Sequence, residues 1–222
     1  MQRIPEPELM DDPQQAAAYA AADFAEAHSR IVAAFEQFFP QDEVAGPVLD
    51  LGCGPGDIGF RFAARFPGCE IIGVDGAAAM LALAQQRKAA DPALGPRVSF
   101  VEGLLPAAPI PEQAYAAIIS NSLLHHLHDP AALWETVAQH AVRGTRVFIA
   151  DLFRPQSTAL ARDLVDRYAA GEPELLRRDF YHSLCAAFEP AEIAAQLEAA
   201  GLQELAVDIL TDRHMVVHGV KV

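Results

Sequence analysis

The chain has 222 residues, 52% hydrophobic and 21% charged, a balance that builds a packed core and excludes a disordered chain. Its 30 acidic and 16 basic residues leave a formal net charge of −14, which repels phosphate backbones and anionic lipids, so neither nucleic acid nor a membrane surface is an expected partner. The three cysteines match no zinc or disulfide spacing. The N-terminus carries Glu6, Glu8, Asp11 and Asp12 where a secretory leader would be basic, and no apolar run approaches the ~20 residues of a membrane span, so a cytoplasmic protein is expected.

In chain order, residues 14–39 read as one helix, with Phe24, Ile31, Phe35 and Phe38 at near-helical spacing and Pro40 as the stop. Residues 47–51 are a short apolar strand running into Gly52. Ile58, Phe62 and Phe66 then mark one face of a helix that Pro67-Gly68 ends. A second strand over 70–74 closes at Asp75-Gly76, and a helix over 77–90 is broken by Asp91-Pro92. Strands over 97–101 and 115–120, a helix over 131–142 and a strand over 145–150 follow. This alternation predicts an α/β fold, doubly wound, with parallel strands and helices on both faces. The last third predicts helices over 157–169 and 190–200 around a charged, aromatic-rich insert. Two strand-like runs, 204–210 and 214–220, then form a terminal antiparallel hairpin.

The segment Asp50-Leu51-Gly52-Cys53-Gly54-Pro55-Gly56 carries most information. It leaves a first strand and enters a helix, at a strand end where α/β sheets bind ligands. Glycines there admit a ligand close to the backbone. Their alternate spacing and the preceding Asp50 disfavour a dinucleotide: a carboxylate repels pyrophosphate and suits an ammonium or sulfonium. No Gly-Lys-Ser/Thr follows, which excludes a P-loop. Asp75 closes the second strand, where it either accepts from ribose hydroxyls or caps the next helix.

These residues resemble the class I S-adenosylmethionine-dependent methyltransferase family over residues 47–151. The resemblance implies a Rossmann-like seven-stranded sheet, mostly parallel with an antiparallel C-terminal hairpin, and S-adenosylmethionine as cofactor. It implies that Asp50, Gly52, Cys53, Gly54 and Gly56 cradle the methionine part, Asp75 the ribose, and Gly76 and Met80 the adenine. Glu102, Gly103 and Leu104 match the adenine-edge motif, which often has Asp where this chain has Glu102. Asn121 and Ser122 open the motif where cofactor meets substrate. That motif lacks the Pro-Pro-aromatic of nucleic-acid and amide methylases and resembles the small-molecule branch. The implied reaction is direct methyl displacement to a small-molecule acceptor. A protein of this fold that modifies the cofactor, or only binds it, is the alternative.

His125 and His126 are candidate bases, or members of a helix-start hydrogen-bond network. With His128 they do not present one face of a helix or strand, so no bound metal is expected. Asp151 and Arg154 either bind a charged substrate group or pair with each other. Tyr181 and His182, in the insert, either touch substrate or belong to an ordinary helix. Tyr19 and His28 lie on the helix before the core and are candidate cofactor and substrate contacts respectively. The expected organisation is a helical cap over 1–45 and one domain over 46–222, with a lid-like insert at about 152–190. The insert and hairpin leave a homodimer open.

Overall fold

Apolar strands and amphipathic helices alternate along the chain, and the computed structural model, which describes residues 1–22, 24–40 and 43–222, assembles them as a doubly wound sheet. The strands are β1 (Gly46–Leu51), β2 (Cys69–Asp75), β3 (Val98–Glu102), β4 (Ala117–Asn121), β5 (Arg146–Leu152), β6 (Ala206–Ile209) and β7 (His214–Val220), in the order β3-β2-β1-β4-β5-β7-β6. β1 to β5 are parallel; β7 runs antiparallel to both β5 and β6. The chain winds outward from β1 to β3, then restarts at β4 on the other side. That switch opens a crevice beyond the carboxyl ends of β1 and β4, where this class of sheet binds ligands.

The helices are α1 (Pro13–Ala21), α2 (Ala25–Phe38), α3 (Asp57–Arg65), α4 (Ala78–Ala90), α5 (Ala131–His140), α6 (Thr158–Tyr168), α7 (Glu174–Ala186) and α8 (Pro190–Ala199). α2 and α3 cover one face of the sheet. There Phe35 meets Phe62, Phe66 and Phe148 edge-on, with ring centroids 4.9, 5.6 and 5.6 Å away. α5 and α8 cover the other face around Trp134, Leu133, Ile118 and Ile193, and Trp134 Nε1 donates to Gln196 Oε1 at 2.9 Å. Such buried aromatic pairs add about 0.5–1.5 kcal/mol each beyond the area they bury.

The single helix expected over 14–39 is two. Asp12 starts α1 by accepting from the Gln14 and Gln15 amides, and Ala22 leaves the helix with extended angles (φ −67°, ψ 146°). The Phe24 ring then folds back to 5.0 Å from Tyr19, so aromatic packing overrides the local helix preference of an alanine-rich stretch. In the insert, α7 occupies residues 174–186 and packs on α6 around Leu152, Leu164 and Leu184. Among the described residues, no helix is long and apolar enough to cross a membrane.

Candidate active site

The turn after β1 bends through three glycines with positive φ: +68° at Gly52, +52° at Gly54 and +81° at Gly56, which precedes α3. At Gly52 the requirement is doubled, because a Cβ there would lie 2.8 Å from the Cβ of Leu123. At Gly54 nothing lies within 4 Å of that position, so the loop is an open cradle. Asp75 holds it in shape: Oδ2 accepts from the Gly54 amide and Oδ1 from the Ala77 amide, both at 2.8 Å. Of the two alternatives read for Asp75, the hydrogen bond from the Ala77 amide gives the capping one. Cys53 is buried in the loop and directed at Gly73.

Asp50 is 2% exposed, and its Oδ2 has no hydrogen-bond partner. Burial, then the charge of Asp75, raises its pKa to about 8, against a smaller opposing pull from the Gly59 amide. Ser122, at the end of β4, is the one non-glycine residue among those described with positive φ (57°), a strained backbone of the kind that gathers at functional sites. Asn121 Nδ2 donates to the Ser122 hydroxyl at 3.1 Å. Glu102 closes β3 opposite Asp75, and the Gly103 amide donates to the Asp75 carbonyl.

The N-terminal segment seats on this rim. Leu104 and Leu9 both lie against Gly76, Asp11 accepts from the Ala79 amide, and Ala16, Met10 and Tyr19 pack around Met80. The Tyr19 phenol is pushed up to about 12, first by burial and then by the carboxylates of Asp57, Asp151 and Asp75. His28 Nδ1 lies 2.6 Å from Asp57 Oδ2, and Arg61 and Arg87 bind the same carboxylate. Burial alone would raise Asp57, but hydrogen bonds from His28 and Arg61 and the charge of Arg87 hold it well below the usual range. Asp57 was missed in the sequence, where it reads only as a helix start. So was His214, pushed down to about 4 by burial and the charge of Arg213, with Asp151 opposing.

His125 is 3% exposed. Its Nδ1 lies 2.5 Å from Asp151 Oδ1, and its amide donates to Asp151 Oδ2. Burial pulls the His125 imidazole down and the Asp151 carboxyl up, and their mutual attraction reverses both. His126 is pushed down to about 3 by burial and by His125. Both rings face Glu6.

Arg154 corrects another sequence reading. Its guanidinium is spent on the Met1 and Ala187 carbonyls and on Glu189 and Glu192, so it pairs neither with Asp151 nor with an open rim. Tyr181 packs on the α6–α7 cluster, while His182 is exposed with its charge felt at Glu6.

Residues 48–145 match a family model described as a methyltransferase domain. Curated relatives include two trans-aconitate 2-methyltransferases. That of Methylobacterium radiotolerans is 43% identical over 86 residues, covering 38% of this chain and 30% of the relative. That of Klebsiella pneumoniae is 34% identical over 142 residues, covering 62% and 53%. The chain therefore spans about half the length, or less, of these relatives. Among solved structures, a SAM-dependent methyltransferase from Aquifex aeolicus superposes with TM-score 0.68 at 16% identity, over 95% of this chain and 99% of that one. A plantazolicin methyltransferase in complex with SAH superposes with TM-score 0.69 at 13% identity, over 95% and 91%.

Proposed function

We propose that the chain is a class I S-adenosylmethionine-dependent methyltransferase that transfers the methyl group of S-adenosylmethionine to a small-molecule acceptor, a reading supported by the methyltransferase-domain match over residues 48–145. The observation that carries the reading is the glycine cradle: three positive-φ glycines, open at Gly54, braced by Asp75 above a buried carboxyl with an unpartnered oxygen, Asp50. That donor set fits a cationic, ribose-bearing ligand. When bound, S-adenosylmethionine supplies a methyl group on a positively charged sulfur.

The chain's own part is alignment and exclusion of water. Gly54 and its neighbours seat the methionine part, with the buried Asp50 carboxyl beneath the loop. Asp75 keeps lone pairs for ribose hydroxyls, and Met80, Gly76 and Leu104 flank the adenine beside Glu102 and Gly103. The strained turn at Ser122 presents Asn121 where the acceptor meets the methyl group. Residues 1–45 act as the cap, with Tyr19 closing on the cofactor and His28 facing the acceptor side. The chain's net charge of −14 favours a neutral or cationic acceptor. The relatives' trans-aconitate is anionic, which makes a different acceptor the better expectation here.

The test is isothermal titration with S-adenosylmethionine and, separately, NADH, on the wild type and Gly54→Arg. Binding of the sulfonium compound alone, abolished in the variant, supports the reading. A screen of small-molecule acceptors for S-adenosylhomocysteine release then separates transfer from mere binding. Failure of well-folded protein to bind S-adenosylmethionine removes the proposal.

A further inference from the structure

The first eight residues form a strap across the loop that follows β4 and the C-terminal end of α7. Arg3 donates to the carbonyls of His125, Leu127 and Ala186 and lies 3.9 Å over the Phe188 ring. The Ile4 amide donates to the Cys185 carbonyl, and Glu8 accepts from the His128 amide. Between these anchors sits Glu6, flanked by Pro5 and Pro7, whose rings restrict the backbone on either side.

Glu6 Oε1 lies 3.6 Å from His125 Nε2 and 3.4 Å from His126 Nδ1, and the three atoms fall within 4.8 Å of one another. Those separations are longer than the ~2.7–3.2 Å of a hydrogen bond. They match the edges of a tetrahedral site, where metal–ligand bonds of about 2.0–2.2 Å set ligand atoms about 3.3–3.6 Å apart. The surroundings agree. Asp151 takes His125 Nδ1 at 2.5 Å, which turns Nε2 toward Glu6, as a carboxylate behind a metal-binding imidazole does. His126 Nδ1 is buried with no hydrogen-bond partner. Ser183 donates to Glu6 Oε1 at 3.0 Å and fixes the third ligand. Glu6 and Asp151 outnumber the nearby cation Arg3, leaving a negative field.

We propose that Glu6, His125 and His126 bind a divalent transition-metal ion, Zn²⁺ or a close relative, with Asp151 and Ser183 orienting the ligands and a fourth position left for water or another ligand. The set of two imidazoles and one carboxylate suits that class of ion and not Mg²⁺ or Ca²⁺, which prefer all-oxygen sites. The ion would also tie the strap to the end of β4, so its binding raises thermal stability.

The untagged full chain, stripped with a chelator, is titrated with Zn²⁺ by calorimetry and with Co²⁺ by visible absorption, and bound metal is counted after gel filtration. Stoichiometric binding is expected, with ligand-field bands for Co²⁺. Glu6→Gln and His126→Ala should each weaken binding at least 100-fold, Asp151→Asn by about 10–100-fold, and His218→Ala, remote from the cluster, not at all. Circular dichroism confirms that each variant folds, and Glu6→Gln is nearly isosteric. Absence of stoichiometric binding in the wild type, or binding unchanged in both ligand variants, overturns the site. S-adenosylmethionine titrated into the same samples reports separately on the methyltransferase reading.

Discussion

Asp75 accepts the Gly54 amide at 2.8 Å, joining the end of β2 to the middle of the loop that follows β1. The same carboxylate takes the Ala77 amide at the start of α4. One side chain therefore sets the shape of the cradle and the direction of the helix beside it. Burial raises its pKa, and the backbone amides of Ala77, Gly54 and Gly76 oppose that rise, so it is held by the main chain it organises.

Asp75→Ala leaves both amides without this acceptor. It should cost about 1–3 kcal/mol of stability, read by urea denaturation, and weaken S-adenosylmethionine at least tenfold. Unchanged affinity in a folded variant would remove Asp75 from the cofactor site.

The glycine loop and Asp75 were legible because strand, turn and helix follow one another locally, and glycine at a positive φ has few substitutes. The strap was not. Glu6 meets His125 and His126 across more than a hundred residues, and no short-range pattern marks a lone glutamate as a ligand. The convergence of His125 and His126 was not legible for a definable reason. Adjacent residues diverge on a helix or strand, but Leu124–His126 is a 3-10 turn that stacks the two rings with centroids 4.2 Å apart. Arg154 failed the other way: its position at a strand end suggested a site, while four partners from the N-terminus, the end of α7 and the start of α8 had already claimed it.

Gly52→Ala tests the fold of the loop apart from its ligand. The new methyl would need φ +68° and would press on Leu123 Cβ at 2.8 Å. A loss of about 2–4 kcal/mol is expected from strain and overpacking together, with cofactor binding lost as well. Gly54→Ala meets no atom and should cost only about 1–2 kcal/mol, so thermal melting should rank the two variants in that order.

Asp50 gives a pH dependence of definite sign. Its pKa is about 8 in the folded chain and about 3.9 unfolded. Between those values the folded state holds the extra proton, so this group's contribution to stability falls as pH rises from about 4 to about 8 and is flat above. Asp50→Asn removes the dependence. The variant's melting point should rise relative to the wild type's as the pH goes from 5 to 8, with each 1 kcal/mol worth about 2–4 °C. A gap that does not change with pH would show that Asp50 is ionised throughout.

Arg3 is the anchor of the strap, and Arg3→Met keeps much of its length while removing three hydrogen bonds and the contact over Phe188. Ala186, His125 and Leu127 would lose those donors, at a cost of about 1–3 kcal/mol. Because Arg3 holds this strap to the rest of the fold, the loss should appear first as local opening. Hydrogen exchange at Ile4, whose amide bonds the Cys185 carbonyl, should accelerate at least tenfold, while exchange in β1 and β4 changes little. Equal acceleration in the sheet would mean that the strap is part of the global folding unit. It could not then open independently to admit a ligand.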